Sequence, residues 1–313
     1  MRWSFTRSSK EPGWLAVRLQ PGELHFVHGQ YQSGATSIID SCGVRPLDGE
    51  FDGADRVAKE LDLQRYQCAT LLAPGEYQLL QVDAPNVPQS ELKTAVRWRI
   101  KDLLDYHADD ATIDVLAVPS AGGAGGRGAS MYAVAARNDV IQSCISRFEA
   151  ARIPLTVIDI PELAQRNVAS LFEPENRGLA MLYVGQDQGL LTVNFRNELL
   201  MSRRIEAGAQ DLGPEAGAAR DDGRQRVLLE LQRTFDHLDR QFAYASVGKL
   251  MLAPEREDSG LLEFLASNLD LPVERAHLAG SLAFGARAEL APEDEWRMFH
   301  LIGASLRHEE KSL

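Results

Sequence analysis

Apolar residues recur at two periods along this chain, and the switches between the two divide it into elements. Alternation, or short apolar runs broken by Gly, Pro, Asn and Asp, predicts strands over 14–19 and 24–29 about a Gln20-Pro21-Gly22-Glu23 turn. Further strands are predicted at 67–72, 77–82, 112–118, 131–136 and 154–158. The clearest stretch runs from Gly178 to Glu206, where 179–184, 190–195 and 199–205 read as successive hairpins. Strands at 249–253 and 272–275 follow. Spacing of three and four predicts helices over 54–63, 90–106, 139–151, 161–171, 224–245 and 261–269, with a last one starting near Pro292. In helix 90–106, Ser90 is the expected N-cap, and Leu92, Val96, Ile100, Leu103 and Leu104 form the expected apolar face. Helix 224–245 carries a seam of Leu228, Leu231, Phe235, Leu238, Phe242 and Ala245. The last helix has Glu293, Asp294 and Glu295 at its positive end and a buried stripe of Trp296, Phe299, Ile302 and Leu306. Residues 208–223 and 122–128 are expected to be a solvent loop and a flexible hairpin tip.

Two regions open with strand–turn–strand, at 14–29 and 179–195, which suggests a duplication. The strand–helix–strand–strand–helix order of 75–151 reads as an insertion with its own small sheet. The expected organisation is therefore a first lobe of 14–74 and 152–177, the insertion at 75–151, a second lobe of 178–313, and a short basic segment at 1–13.

Composition narrows the chemistry. The 313 residues are 44% hydrophobic and 25% charged, as expected of a soluble globular protein. The formal charge of -12 argues against nucleic acid as a partner, since phosphate neutralisation needs clustered Lys and Arg. Cys42, Cys68 and Cys144 are far apart and without metal-ligand spacing, which suits reduced thiols in a cytoplasm. No apolar run is long enough for a membrane span and no signal-peptide core is present, so a cytoplasmic location is expected. Residues 1–13, with Trp3 and Phe5, read as a frayed terminus or, through Arg2, Arg7 and Lys10, as a weak foothold on an anionic leaflet, roughly 1 kcal/mol per basic residue. The seven histidines show no ligand spacing; His25 and His28 fall on opposite faces of a regular strand. The glycines at 122–128 lack the Gly-Lys-Ser/Thr of a P-loop, and no Gly-x-Ser-x-Gly elbow is present. Lys93, Arg97 and Lys101 form a basic row on helix 90–106, with Trp98 and Arg99 beside it: a solvated face or a docking row for an acidic partner or the inner leaflet.

Several segments, in order, resemble the PilM family of type IV pilus assembly proteins and the cytoplasmic part of the type II secretion GspL proteins. They are 69–75 (ATLLAPG), 88–98 (PQSELKTAVRW), 229–235 (LELQRTF), 261–266 (LLEFLA) with 271–274 (LPVE), and 302–307 (IGASLR). The resemblance implies an α/β, actin-like (RNase H-like) two-lobed fold with an inserted small α+β, SHS2-like subdomain, and it looks nearest to the MSHA pilus variant. It also implies a partner: the cytoplasmic tail of a PilN-like inner-membrane protein, seated between the insertion and the first lobe. Leu79, Leu80, Val82, Lys93, Arg97, Trp98 and Lys101 would border that groove. An assembly ATPase and a peripheral inner-membrane contact are further partners the resemblance suggests.

In ATP-binding relatives an Asp on the first hairpin and glycine-rich turns hold a magnesium nucleotide. Here Arg18 falls near the Asp position, and Pro21 removes an amide donor from the turn. The second hairpin keeps Gly185 but has Tyr183 at the acidic position, with Asp187 in the turn as a substitute. After 250–252 the chain reads Ala253-Pro-Glu-Arg-Glu-Asp258 in place of a glycine cluster. The expected reading is a pseudo-ATPase adaptor with no cofactor, neither ATP nor magnesium. The alternative is a nucleotide-binding ATPase of the same machine using Gly185 and Asp187. A sugar-kinase-like enzyme shares the fold but needs an intact phosphate site.

Overall fold

The structure is a computed structural model that describes residues 10–119, 130–253, 259–288, 290–291 and 294–308. The segment 1–9, the glycine loop 122–128, the acidic stretch 254–258 and residues Pro292 and Glu293 lie outside the described residues. Strands β1 (Trp14–Gln20), β2 (Glu23–Gln30) and β3 (Ile38–Pro46) form an antiparallel meander, and α1 (Ala54–Glu60) crosses to β4 (Gln67–Leu71), parallel to β1. The insertion follows as β5 (Tyr77–Asp83), α2 (Leu92–Ile100), β6 (Ala111–Ala117), β7 (Ser130–Arg137) and α3 (Asn138–Ala150). The chain rejoins the first sheet through β8 (Leu155–Asp159) and enters α4 (Pro161–Ala169), with Pro at its first turn.

The second meander is β9 (Gly178–Val184), β10 (Gly189–Phe195) and β11 (Glu198–Ile205). Helices α5 (Ala209–Leu212) and α6 (Ala219–Gln241) lead to β12 (Val247–Leu252), parallel to β9, and α7 (Leu261–Asn268) leads to β13 (Val273–Arg275). Then come α8 (Leu278–Ser281), β14 (Ala283–Ala288) and α9 (Glu295–Ser305). The sheet orders are β14-β3-β2-β1-β4-β8 and β11-β10-β9-β12-β13, with β5-β7-β6 in the insertion. An antiparallel meander followed by parallel strands on its inner side occurs in both large sheets, and this repeated plan is the two-lobed actin-like fold.

Helices α4 and α9 pack against each other in the middle. One core joins Ala16 and Val27 of the first sheet to Leu179, Met181 and Met251 of the second through Ala164, Val168, Phe299 and Ile302. Helix α9 is buried at every position from Met298 to Ser305, because neighbours press on it from both sides; the expected single stripe with Trp296 is replaced by an all-round core helix.

Other expectations are corrected too. Strand β14 runs parallel to β3 and covers its open edge, and α9 lies on β1 and β2. The chain beyond Ser281 thus returns to the first lobe, and 178–313 is not one lobe. The loop expected at 208–223 contains α5 and the first turn of α6, where Gly223 allows close approach to the Asp211 carbonyl. Helix α6 ends at Gln241, so Ala245 is buried outside it. Helix α2 ends at Ile100, leaving Leu103 exposed, and Ser90 sits inside a short 3-10 turn (Gln89–Glu91) rather than at a cap. Lys10 donates to the Gln64 and Tyr66 carbonyls at 2.6 and 3.0 Å, so it is held by its own chain.

Candidate functional site

The two hairpins face each other across a cleft containing a cavity of about 420 Å³. Its walls come from β1 (Arg18), the chain after β4 (Thr70 to Tyr77), α3 (Arg147, Phe148), the start of α4 (Glu162), the β9–β10 turn (Tyr183 to Leu190), β11 (Arg204) and α9 (His300). The family resemblance pointed to Arg18, Gly185 and Asp187, and all three line the cavity. Asp187 is exposed at its rim.

Two glycine amides of these turns are engaged within the protein. The Gly22 amide donates to the Glu50 carbonyl at 2.9 Å, and the Gly185 amide to the Gln188 carbonyl at 3.0 Å inside its own turn. Behind that turn, Gly208 admits no side chain, since a Cβ would lie 2.2 Å from the Gln186 carbonyl oxygen. The first turn is tied down by Glu23, whose carboxylate meets Arg297 at 2.8 Å and His25 and Gln20 at 2.9 Å. Hydrogen bonding from His25 holds the Glu23 carboxyl below its usual range, while burial lowers the His25 imidazole. Tyr183 fills the cleft floor, its ring 4.3 Å from His300 and its hydroxyl donating to the Trp296 carbonyl at 3.3 Å.

Sequence spacing did not single out the polar residues that knit the cleft together. Glu162, Gln165, Arg166 and Asn167 are all buried on α4. The Gln165 amide nitrogen donates to the Met181 carbonyl (2.8 Å), the Leu190 carbonyl (3.1 Å) and Thr192 Oγ1 (3.0 Å), and its oxygen lies 3.2 Å from His300 Nε2. One side chain therefore joins the second sheet to α9. The only signal was a polar sequence, PELAQRN, in a helix directly after a buried strand.

Burial, and secondarily the nearby Arg18, pushes the His300 pKa down to about 3. The unfolded chain takes up that proton near pH 6.5, so between those values it binds one proton more than the folded chain. Stability must then fall as the pH drops. From pH 7 to pH 5 the expected loss is about 2 kcal/mol, read as a lower urea midpoint, and His300→Leu should flatten that dependence. His25 acts in the same direction.

The residues expected at the partner groove do not share one surface. Leu80 and Val82 pack under α2 with Val96 and Ile100, whereas Leu79, on the other face of β5, packs toward the second lobe. This is the period-two alternation of a strand covered on both sides. The insertion also contacts the second lobe, with Tyr132 donating to the Leu200 carbonyl at 3.4 Å and Tyr244 to the Pro119 carbonyl. A second groove of about 600 Å³ lies between Gln81, Asp83, Arg99 and Ser130 of the insertion and His237 and Gln241 of α6. In the basic row, Lys93 pairs with Asp114 at 3.0 Å, Arg97 donates to the Ala108 carbonyl, and Lys101 sits over the Trp98 ring at 5.2 Å. Trp98 is 67% exposed and Leu103 56%, the two most exposed large hydrophobic side chains among the described residues.

No family model and no curated relative matches the chain by sequence. Solved structures do resemble it. A PilM–PilN type IV pilus biogenesis complex aligns over 94% of this chain and 97% of the matched chain at 16% identity, TM-score 0.65. The cytoplasmic domain of EpsL, an inner membrane component of the type II secretion system of Vibrio cholerae, aligns over 95% and 96% at 14% identity, TM-score 0.48. A Bacteroides thetaiotaomicron protein with an actin-like ATPase fold aligns over 90% and 96% at 11% identity, TM-score 0.48. The first of these shares the whole fold, insertion included.

Proposed function

We propose that this chain is a non-catalytic, cytoplasmic adaptor of a type IV pilus assembly apparatus, of the MSHA kind, that binds the cytoplasmic tail of a PilN-like inner-membrane protein. The observation that carries the proposal is the end-to-end likeness to the PilM–PilN complex, which spans both lobes and the insertion. In this role the adaptor would sit peripherally at the inner membrane and transmit position between that protein and the assembly ATPase. The pseudo-ATPase reading is supported by Arg18 at the expected acidic position, by the engaged Gly22 and Gly185 amides, and by Tyr183 in the cleft floor. Trp98, with Lys101 against its ring and Arg99 beside it, offers an exposed aromatic anchor on the insertion for the tail.

The test is titration of the purified chain with labelled peptides covering the cytoplasmic tails of co-encoded inner-membrane proteins. One tail should bind, and Trp98→Ala should weaken it about tenfold, as loss of an aromatic anchor does. Absence of binding by every tail defeats the proposal. In parallel, 1 mM MgATP should leave the melting temperature unchanged. A nucleotide held with a dissociation constant near 10 µM would add about 2.7 kcal/mol and a clear upward shift, and would restore the ATPase reading.

A further inference from the structure

We infer that the interlobe cavity is a site for a metal-free oxyanion, a phosphate or carboxylate group seated on the Arg18 guanidinium. The cavity walls carry charges of both signs. Three guanidiniums line it, from Arg18, Arg147 and Arg204, and three carboxylates, from Glu76, Glu162 and Asp187. Glu162 is committed to Tyr77 and Arg204. Glu76 accepts the Ala73 amide at 2.7 Å, and Asp187 is at the exposed rim. Among the described residues no carboxylate lies within ion-pair distance of Arg18. Its hydrogen bond is a long one, 3.4 Å from Nη1 to the Arg297 carbonyl oxygen.

The surroundings make this cation costly. Burial holds the Arg18 pKa below its usual value, with Tyr183 acting the other way and the neighbouring cation Arg297, already paired with Glu23 at 2.8 Å, adding to the lowering. His300 is neutral beside it. A half-buried charge without a counter-ion is only partly hydrated, and an incoming oxyanion completes its hydrogen bonding through the planar, bidentate geometry a guanidinium offers. Arg147 adds a second positive wall; its guanidinium lies over the Phe51 ring at 5.6 Å, and no described carboxylate pairs with it.

The rest of the cavity suits an organic ligand body. Tyr77, Phe148, Tyr183, Leu72 and Pro74 supply apolar wall, and its volume falls within the range of small-molecule sites. The same charges argue against a magnesium-bound ligand. A divalent cation needs carboxylate or carbonyl oxygens directed at it, and here it would meet a guanidinium. In this inference the protein itself supplies the positive charge that meets the anion.

The experiment is thermal unfolding of the full chain, freed of divalent cations on a chelating resin, at constant ionic strength, with inorganic phosphate, pyrophosphate or citrate replacing chloride. At least one anion should raise the midpoint by a few degrees at about a hundredfold excess over its dissociation constant. Magnesium should diminish the rise. Arg18→Gln should abolish it and Arg18→Lys retain part of it; if the Gln variant does not fold, the Lys variant carries the comparison. No rise with any anion, an equal rise in the variants, or a rise that requires magnesium overturns the inference. An Arg18-dependent response to the tail peptide in the absence of any anion response also overturns it, because the cation would then serve an acidic side chain. Tail binding that survives in Arg18→Gln separates this site from the adaptor function, so the two can fail independently.

Discussion

Gly303→Ala is expected to lower the unfolding free energy by about 3 kcal/mol or more, although alanine is ordinarily the better helix former by about 1 kcal/mol. Gly303 lies on α9 where it crosses α4. An added Cβ would lie 2.0 Å from the Ala164 carbonyl oxygen, 2.6 Å from its carbonyl carbon and 3.1 Å from its Cα. All three are backbone atoms, so no rotamer change relieves the clash; the helices themselves must separate. They are not free to do so, because Asn167 Nδ2 donates to the Gly303 carbonyl at 2.9 Å and both helices are buried in a core shared by the two sheets. Overpacking between rigid elements typically costs 1–3 kcal/mol, and a backbone clash stands at the top of that range. Gly280→Ala is the control: it lies in the short α8, with nothing within 4 Å of the added carbon, and should be near neutral. Urea unfolding of the two variants reads the difference directly. Equal midpoints would mean that α4 and α9 are not in contact as described.

How far the sequence revealed this arrangement depends on where each signal lived. The two hairpins were legible because strand alternation and turn glycines are local. Strand β3 was not, because Asp40 is an extra residue opposite the His28–Gly29 step. That bulge separates the inward positions Ile39 and Cys42 by three residues and so breaks the period of two. Strand β14, reading Ala-Phe-Gly-Ala-Arg-Ala, has no alternation at all; its partner β3 defines it. In the cleft, Arg18, Gly185 and Asp187 were found because the resemblance to ATP-binding relatives points to the two hairpin turns. Glu162, Gln165, Arg204 and His300 come from three distant segments and converge only when the lobes close on α4 and α9. The basic row had the right spacing, but its partners Asp114 and the Ala108 carbonyl lie on the following strand and the turn before it.

The convergence at Glu162 yields the second large effect. Its carboxylate is buried at the first turn of α4, where an acid suits the helix dipole. It accepts the Tyr77 hydroxyl from the insertion and faces Arg204 Nη2 of the second lobe at 3.5 Å, and the Arg204 guanidinium lies over the Tyr77 ring at 5.1 Å. Three structural units thus meet on one carboxylate. Glu162→Ala leaves a buried hydroxyl without its acceptor and a guanidinium without its counter-ion. Breaking a buried pair on one side costs 3–5 kcal/mol, and because Arg204 is partly exposed and can turn to water, about 3 kcal/mol is expected here. Glu162→Gln keeps an acceptor for the hydroxyl and should cost about half as much; Tyr77→Phe should cost about 1 kcal/mol. The double variant of Glu162→Ala with Tyr77→Phe should lose less than the sum of the singles, because the second change removes the orphaned hydroxyl the first creates. Hydrogen exchange localises the effect: the strands β5 and β7 should lose protection before the first sheet does. Uniform loss across all three sheets would mean instead that the insertion and the two lobes unfold as one unit, and that this carboxylate adds no more to the insertion's docking than the Tyr132 and Tyr244 contacts do.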